Sequence, residues 1–116
     1  MLRFEPWRLR ELSFLIDDLI VTLRAGKNPE WASVFVHFGR ELELLGRASA
    51  RDRDELTRLV RNIHCCLVEG SGLARLVLQG ANDEENAELN RRFIYLKTRL
   101  RNALETIQGR LVEFVS

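Results

Sequence analysis

The stretch Glu69-Gly70-Ser71-Gly72-Leu73-Ala74-Arg75-Leu76-Val77-Leu78-Gln79-Gly80 decides how the chain is read. Helical apolar periodicity runs up to it and resumes after it. Within it, Gly70-Ser71-Gly72 breaks the pattern, since two glycines around a serine favour a tight turn with positive φ. Leu73, Leu76, Val77 and Leu78 then crowd together without a clear period. They read as a short strand-like piece or as one to two helical turns sealing one end of a bundle.

Upstream, Ser49 followed by Asp52 resembles a capping box opening a helix with the stripe Leu56, Leu59, Val60, Ile63 and Leu67. Before that, Asn28-Pro29-Glu30 has the order of a helix start: a cap, proline at the first position, then an acid facing the positive dipole end. The helix that follows carries Trp31, Val34, Phe35, Phe38, Leu42 and Leu45 as its apolar face and closes at Gly46. Gly39 in its interior suggests close approach of another helix. The first helix starts near Glu5 and Pro6 and runs to Ala25, with Gly26 as its stop. Leu9, Leu12, Ile16, Leu19, Ile20 and Leu23 recur at three and four residues, and Phe14 and Leu15 are read as widening that stripe. With so few residues between Gly26 and Pro29, these two helices should form a hairpin.

Downstream, Asn82 and the acids Asp83, Glu84 and Glu85 open the last helix. Its stripe, Leu89, Phe93, Leu96, Leu100, Ala103, Ile107, Leu111 and Phe114, predicts a helix of roughly 45 Å. That length requires a bend near Gly109, a projecting end, or cover from a second copy. The expected fold is all-α: residues 1–116 form a single helical domain, an antiparallel four-helix bundle with an irregular connection before a long C-terminal helix.

Composition limits the function classes. With 18 Lys and Arg against 17 Asp and Glu among 116 residues, the net charge is +1. That balance lacks the cationic surplus that neutralising phosphates requires, so a nucleic-acid partner is not expected. No apolar run approaches the roughly 18 residues of a membrane span, and no signal peptide is read at Met1, so a cytoplasmic location without membrane contact is expected. The adjacent Cys65 and Cys66 cannot form an unstrained disulfide and read as partly buried apolar groups.

No catalytic constellation emerges. His64, Cys65 and Cys66 are consecutive, so they diverge around a helix instead of converging on a metal. His37, between Val36 and Phe38, reads as a packed structural histidine. Asp17 and Asp18 read as partners of the many arginines, and no Glu-x-x-His pair suggests a di-iron site. The glycines at 70 and 72 fit neither a Walker loop nor a dinucleotide loop. No catalytic, cofactor-binding or metal-ligating residue is assigned, and no cofactor is expected.

Helix three, the glycine turn, the run Leu73-Ala74-Arg75-Leu76-Val77-Leu78, then Asn90-Arg91-Arg92-Phe93 with Leu96, Leu100 and Ala103, resemble a family of small bacterial all-helical proteins. Trp31-Ala32 also fits. The family's turn reads Gly-Met-Gly-Ser, a hydrophobe, then Asn-Asp-Leu; here Ala74-Arg75 replace its Asn-Asp pair. The resemblance implies a bacterial helical protein without assigning it an activity.

The expectation is therefore a non-enzymatic protein that works through protein–protein interaction, with a protein partner or a homodimer through the C-terminal helices. Leu73, Arg75, Leu76, Arg92 and Arg99 are the candidate contact residues. The alternatives are an immunity or antitoxin-like protein that neutralises a toxin, and a small-ligand or enzymatic pocket at residues 70–80 using His37, His64 or Cys65.

Overall fold

The computed structural model describes residues 6–47, 53–68 and 70–113. They are helical almost throughout: α1 (Pro6–Ala25), α2 (Pro29–Arg47), α3 (Arg53–Leu67), the single turn α4 (Gly72–Arg75) and α5 (Asp83–Glu113). No strand occurs among the described residues. Ser49, Asp52, Glu5 and Phe114 lie outside the described residues, as does the proposed capping box.

The α1–α2 turn is set locally. The Lys27 amide donates to the Arg24 carbonyl and the Asn28 amide to the Leu23 carbonyl, the paired closure of a Schellman motif. Its left-handed residue is Lys27, at φ 60°, and not Gly26. Asn28 then caps α2, its Oδ1 accepting from the Trp31 amide at 3.1 Å. Gly26 is small for a different reason. A Cβ there would lie 2.8 Å from both Cβ and Cδ2 of Leu78, so the turn is pressed against residues far along the chain.

α1 packs on α2 and α5, and α3 packs on α2 and α5. Contacts pair early residues of one helix with late residues of its neighbour. Asp18 faces Arg92 while Trp7 and Arg8 share a depression with Asn102 and Thr106. α1 and α5 thus run in opposite directions. Residues 70–80 pass the α1–α2 turn on the way to α5, with Leu78 against Gly26 and Gly72 beside Trp31.

One buried cluster draws on every helix, with Leu12, Ile16, Phe35, Ile63, Leu73, Phe93 and Leu100 at its centre. The predicted α3 stripe is wholly buried, and the α5 stripe is buried from Phe93 to Leu111 with Leu89 at its edge. Two stripe assignments change. Val34 is 37% exposed, and Ala32 takes the buried position. Phe14 is 68% exposed, because it lies about 200° around the helix from Leu12 and faces away from the core.

α5 has 31 residues, roughly 46 Å of helix, and accounts for the 50 Å long axis. It is continuous through Gly109, and Leu111 near its end is buried at 3% exposure. Its surplus length lies at the start, where Asp83, Glu84 and Glu85 are exposed. From Phe93 to Leu111 the stripe is buried against the chain's own helices.

A Cβ at Gly109 would meet nothing within 4 Å, and one at Gly39 would meet only Ile16 Cγ2 at an ordinary 3.6 Å. Close helix approach therefore does not require Gly39. Gly39→Ala and Gly109→Ala should each raise stability by about 0.5–1 kcal/mol, by relieving glycine's entropic cost in a helix. Urea melts of the single variants measure this directly.

Candidate partner-binding surfaces

The 70–80 segment begins with a turn at Gly70, whose φ of +95° only glycine adopts without strain. Ser71 then joins two helices through one hydroxyl. It donates to the Cys66 carbonyl at 2.6 Å, closing α3, and accepts from the Ala74 amide at 3.1 Å, opening α4. α4 seats Leu73 in the core at 0% exposure, and Gly72 rests against the Trp31 ring. Lys97 Nζ lies 3.5 Å from the Ala74 carbonyl at the end of α4 and over the Phe93 ring. Burial pulls the Lys97 ammonium below its ordinary value.

From Leu76 the backbone is extended, and α5 fastens it. Asn90 Oδ1 accepts from the Leu78 amide and Asn90 Nδ2 donates to the Leu78 carbonyl, both at 2.8 Å. The Gly80 amide donates to Asn86 Oδ1. Two asparagines one helical turn apart thus do for this strap what a neighbouring strand would do. Side chains alternate accordingly: Leu78 is 1% exposed against Gly26 and Val77 is 70% exposed. Of the two readings the helical turn is present as α4, and residues 76–80 that follow it are neither helix nor strand.

The candidate contact residues do not form one surface. Leu73 is core, and Leu76 is half-buried against it. Leu73 is therefore unavailable to a partner in this fold. Arg75 is exposed but folds back, Nη2 donating to the Gly70 carbonyl at 2.9 Å. Arg92 lies 3.7 Å from Asp18 on α1, an exposed pair of small energetic value. Arg99 lines an open depression with Trp7, Arg8 and Glu11.

His37 is on the solvent side of α2, 2.8 Å from Glu41, so its placement as a packed histidine is corrected. Its neighbours Val36 and Phe38 are the half-buried residues. His64 is turned toward Glu105 on α5 at 3.3 Å. The two histidines thus have separate partners on separate helices. Among the described residues, no group of three His, Cys, Asp or Glu could hold a metal ion. No helix among them is long and apolar enough to cross a membrane.

Cys65 is exposed, whereas Cys66 is half-buried with Sγ 3.5 Å from the Asn62 carbonyl. Burial, and then the neighbouring Cys65, push the Cys66 thiol above its ordinary value. Limiting iodoacetamide near neutral pH should therefore modify Cys65 well before Cys66, as peptide mapping would read out.

The surface that sequence reasoning missed is on α1. Trp7, Phe14 and Val21, seven residues apart, share its outer face at 45%, 68% and 65% exposure. Beside them, between α1 and α2, runs an open groove of about 590 Å³ lined in part by Ser13, Asp17, Val36 and Gly39. The signal was present, since helical spacing places these three side chains together and opposite Leu12. No protein-family model matches the chain, and no curated protein or solved structure matches it. The resemblance drawn from the sequence therefore brings no residue roles to these surfaces.

Proposed function

We propose that this chain is a non-enzymatic helical protein that works through protein–protein contact, presenting the outer face of α1. The observation that carries the reading is the line Trp7, Phe14 and Val21 on one helix face, Phe14 and Val21 largely exposed and Trp7 half-exposed beneath Arg8. Large aromatics are enriched where proteins meet, because rigid rings give much contact area at little entropic cost. The 70–80 segment supports a different role. Its polar groups are spent on its own fold, through Ser71, Arg75, Asn86 and Asn90.

A photo-crosslinking amino acid replacing Phe14, expressed in native cells, tests the reading. Discrete cross-linked species are expected, with none from the same probe at the exposed, polar position Glu88. Equal labelling at both positions, or none at Phe14, would overturn it.

A further inference from the structure

Resting on that reading, we infer that the partner is a second copy of this chain, paired antiparallel through α1 about a two-fold axis near Phe14. The pattern along the helix is its own complement under that operation. Trp7 lies seven residues before Phe14 and Val21 seven after, so the axis sets each Trp7 over the partner's Val21. Arg10 lies four residues before Phe14 and Asp17 three after, on the same flank of the apolar line. A two-fold across an antiparallel pair brings like flanks together in reversed order. Each Arg10 therefore comes opposite the partner's Asp17, giving two equivalent ion pairs around the central Phe14.

Neither Arg10 nor Asp17 has an ion-pair partner among the described residues of its own chain. The opposite flank carries Glu11 and Asp18, whose approach to their copies would repel. Within the chain Arg92 faces Asp18 and offsets its charge there. The groove beside Ser13 and Gly39 leaves room for the partner's Phe14 ring.

The available area sets the strength. A helix of 20 residues is about 30 Å long and about 10 Å wide, so α1 offers about 300 Å² and α1 with α2 roughly twice that. That is below the ~800 Å² per partner of a standard stable interface. The pair should accordingly be a weak, exchanging dimer with a dissociation constant in the micromolar range.

Sedimentation equilibrium of the full chain up to about 500 µM tests this by mass action. The wild type is expected to pass from monomer to dimer. Phe14→Glu, at an exposed position, should remain monomeric with an unchanged circular dichroism spectrum. Arg10→Glu and Asp17→Arg should each weaken the dimer at least about tenfold by setting like charges opposite one another. Mixing those two variants should restore it, because the mixed pair matches opposite charges at both contacts. A wild type that stays monomeric, a dimer indifferent to Phe14→Glu, or a mixture no tighter than its parts would each overturn self-pairing. A monomeric wild type that still cross-links through position 14 in cells removes the second copy and leaves the protein-contact reading standing. Loss of both removes both.

Discussion

Asn90→Ala should lower stability by about 2–4 kcal/mol, a large effect for a polar substitution. The side chain spans the amide and carbonyl of Leu78 at 2.8 Å each and also donates to the Asn86 carbonyl. Alanine leaves the two Leu78 backbone groups without partners at a half-buried site, and each such group costs about 1–3 kcal/mol. The apolar consequence adds to this, because Leu78 is held in place by those same bonds. In a chain of this length the loss should lower the melting temperature by on the order of 10 °C. Asn90→Asp is a sharper version. It keeps the acceptor for the Leu78 amide but sets a carboxylate against two carbonyl oxygens, so it should be no more stable than the alanine variant. Urea denaturation of the three proteins checks the order.

Gly26→Ala should be costly where most glycine-to-alanine changes near helix ends are mild. The new methyl would lie 2.8 Å from Leu78 Cβ, well inside contact distance. A flexible side-chain tip could rotate away, but a Cβ moves only with its backbone, and Asn90 clamps that backbone. Overpacking of this kind costs about 1–3 kcal/mol. The two substitutions should therefore couple. In the Asn90→Ala background the strap can step back, so Gly26→Ala should cost less there than in the wild type. A double-mutant cycle with no interaction energy would mean that the turn and the clamp are independent.

These two residues also show what the sequence could and could not disclose. The long helices were legible because apolar side chains repeated at the helical period and Asn28-Pro29 marked a start. The break at Gly70 was legible because glycine there supplies a conformation other residues avoid. The reason for Gly26 was not legible. It stood where a helix stop belongs, yet Lys27 adopts the left-handed conformation and Gly26 yields space to a leucine 52 positions later. Such a contact depends on how the strap crosses the bundle, which no local pattern encodes. Asn86 and Asn90 left a faint trace. Asparagine is a poor helix former, and two of them one turn apart beside a non-helical stretch could have been read as side chains with work outside their helix.

Phe14 was misplaced for a different reason. Phe14 and Leu15 are neighbours in sequence, yet adjacent residues diverge by about 100° around a helix, so they do not share one stripe. Placed by angle, Phe14 joins Trp7 and Val21, and the outer face of α1 emerges. The candidate residues drawn from the break and from α5 followed the reasonable idea that an irregular segment carries function. The hydrogen bonds made by Ser71, Asn86 and Asn90 point the other way, to a closure that lets α3 hand the chain to α5.

That closure is the claim on which the choice of surface rests, and amide hydrogen exchange at residues 76–80 tests it most directly. The Leu78 amide, bonded to Asn90 Oδ1, should be protected to a degree approaching the α5 core. The Val77 and Gln79 amides, which have no partner among the described residues, should exchange quickly. Exchange at Leu78 as fast as at its two neighbours would contradict the account and return the 70–80 segment to the place of a free binding loop.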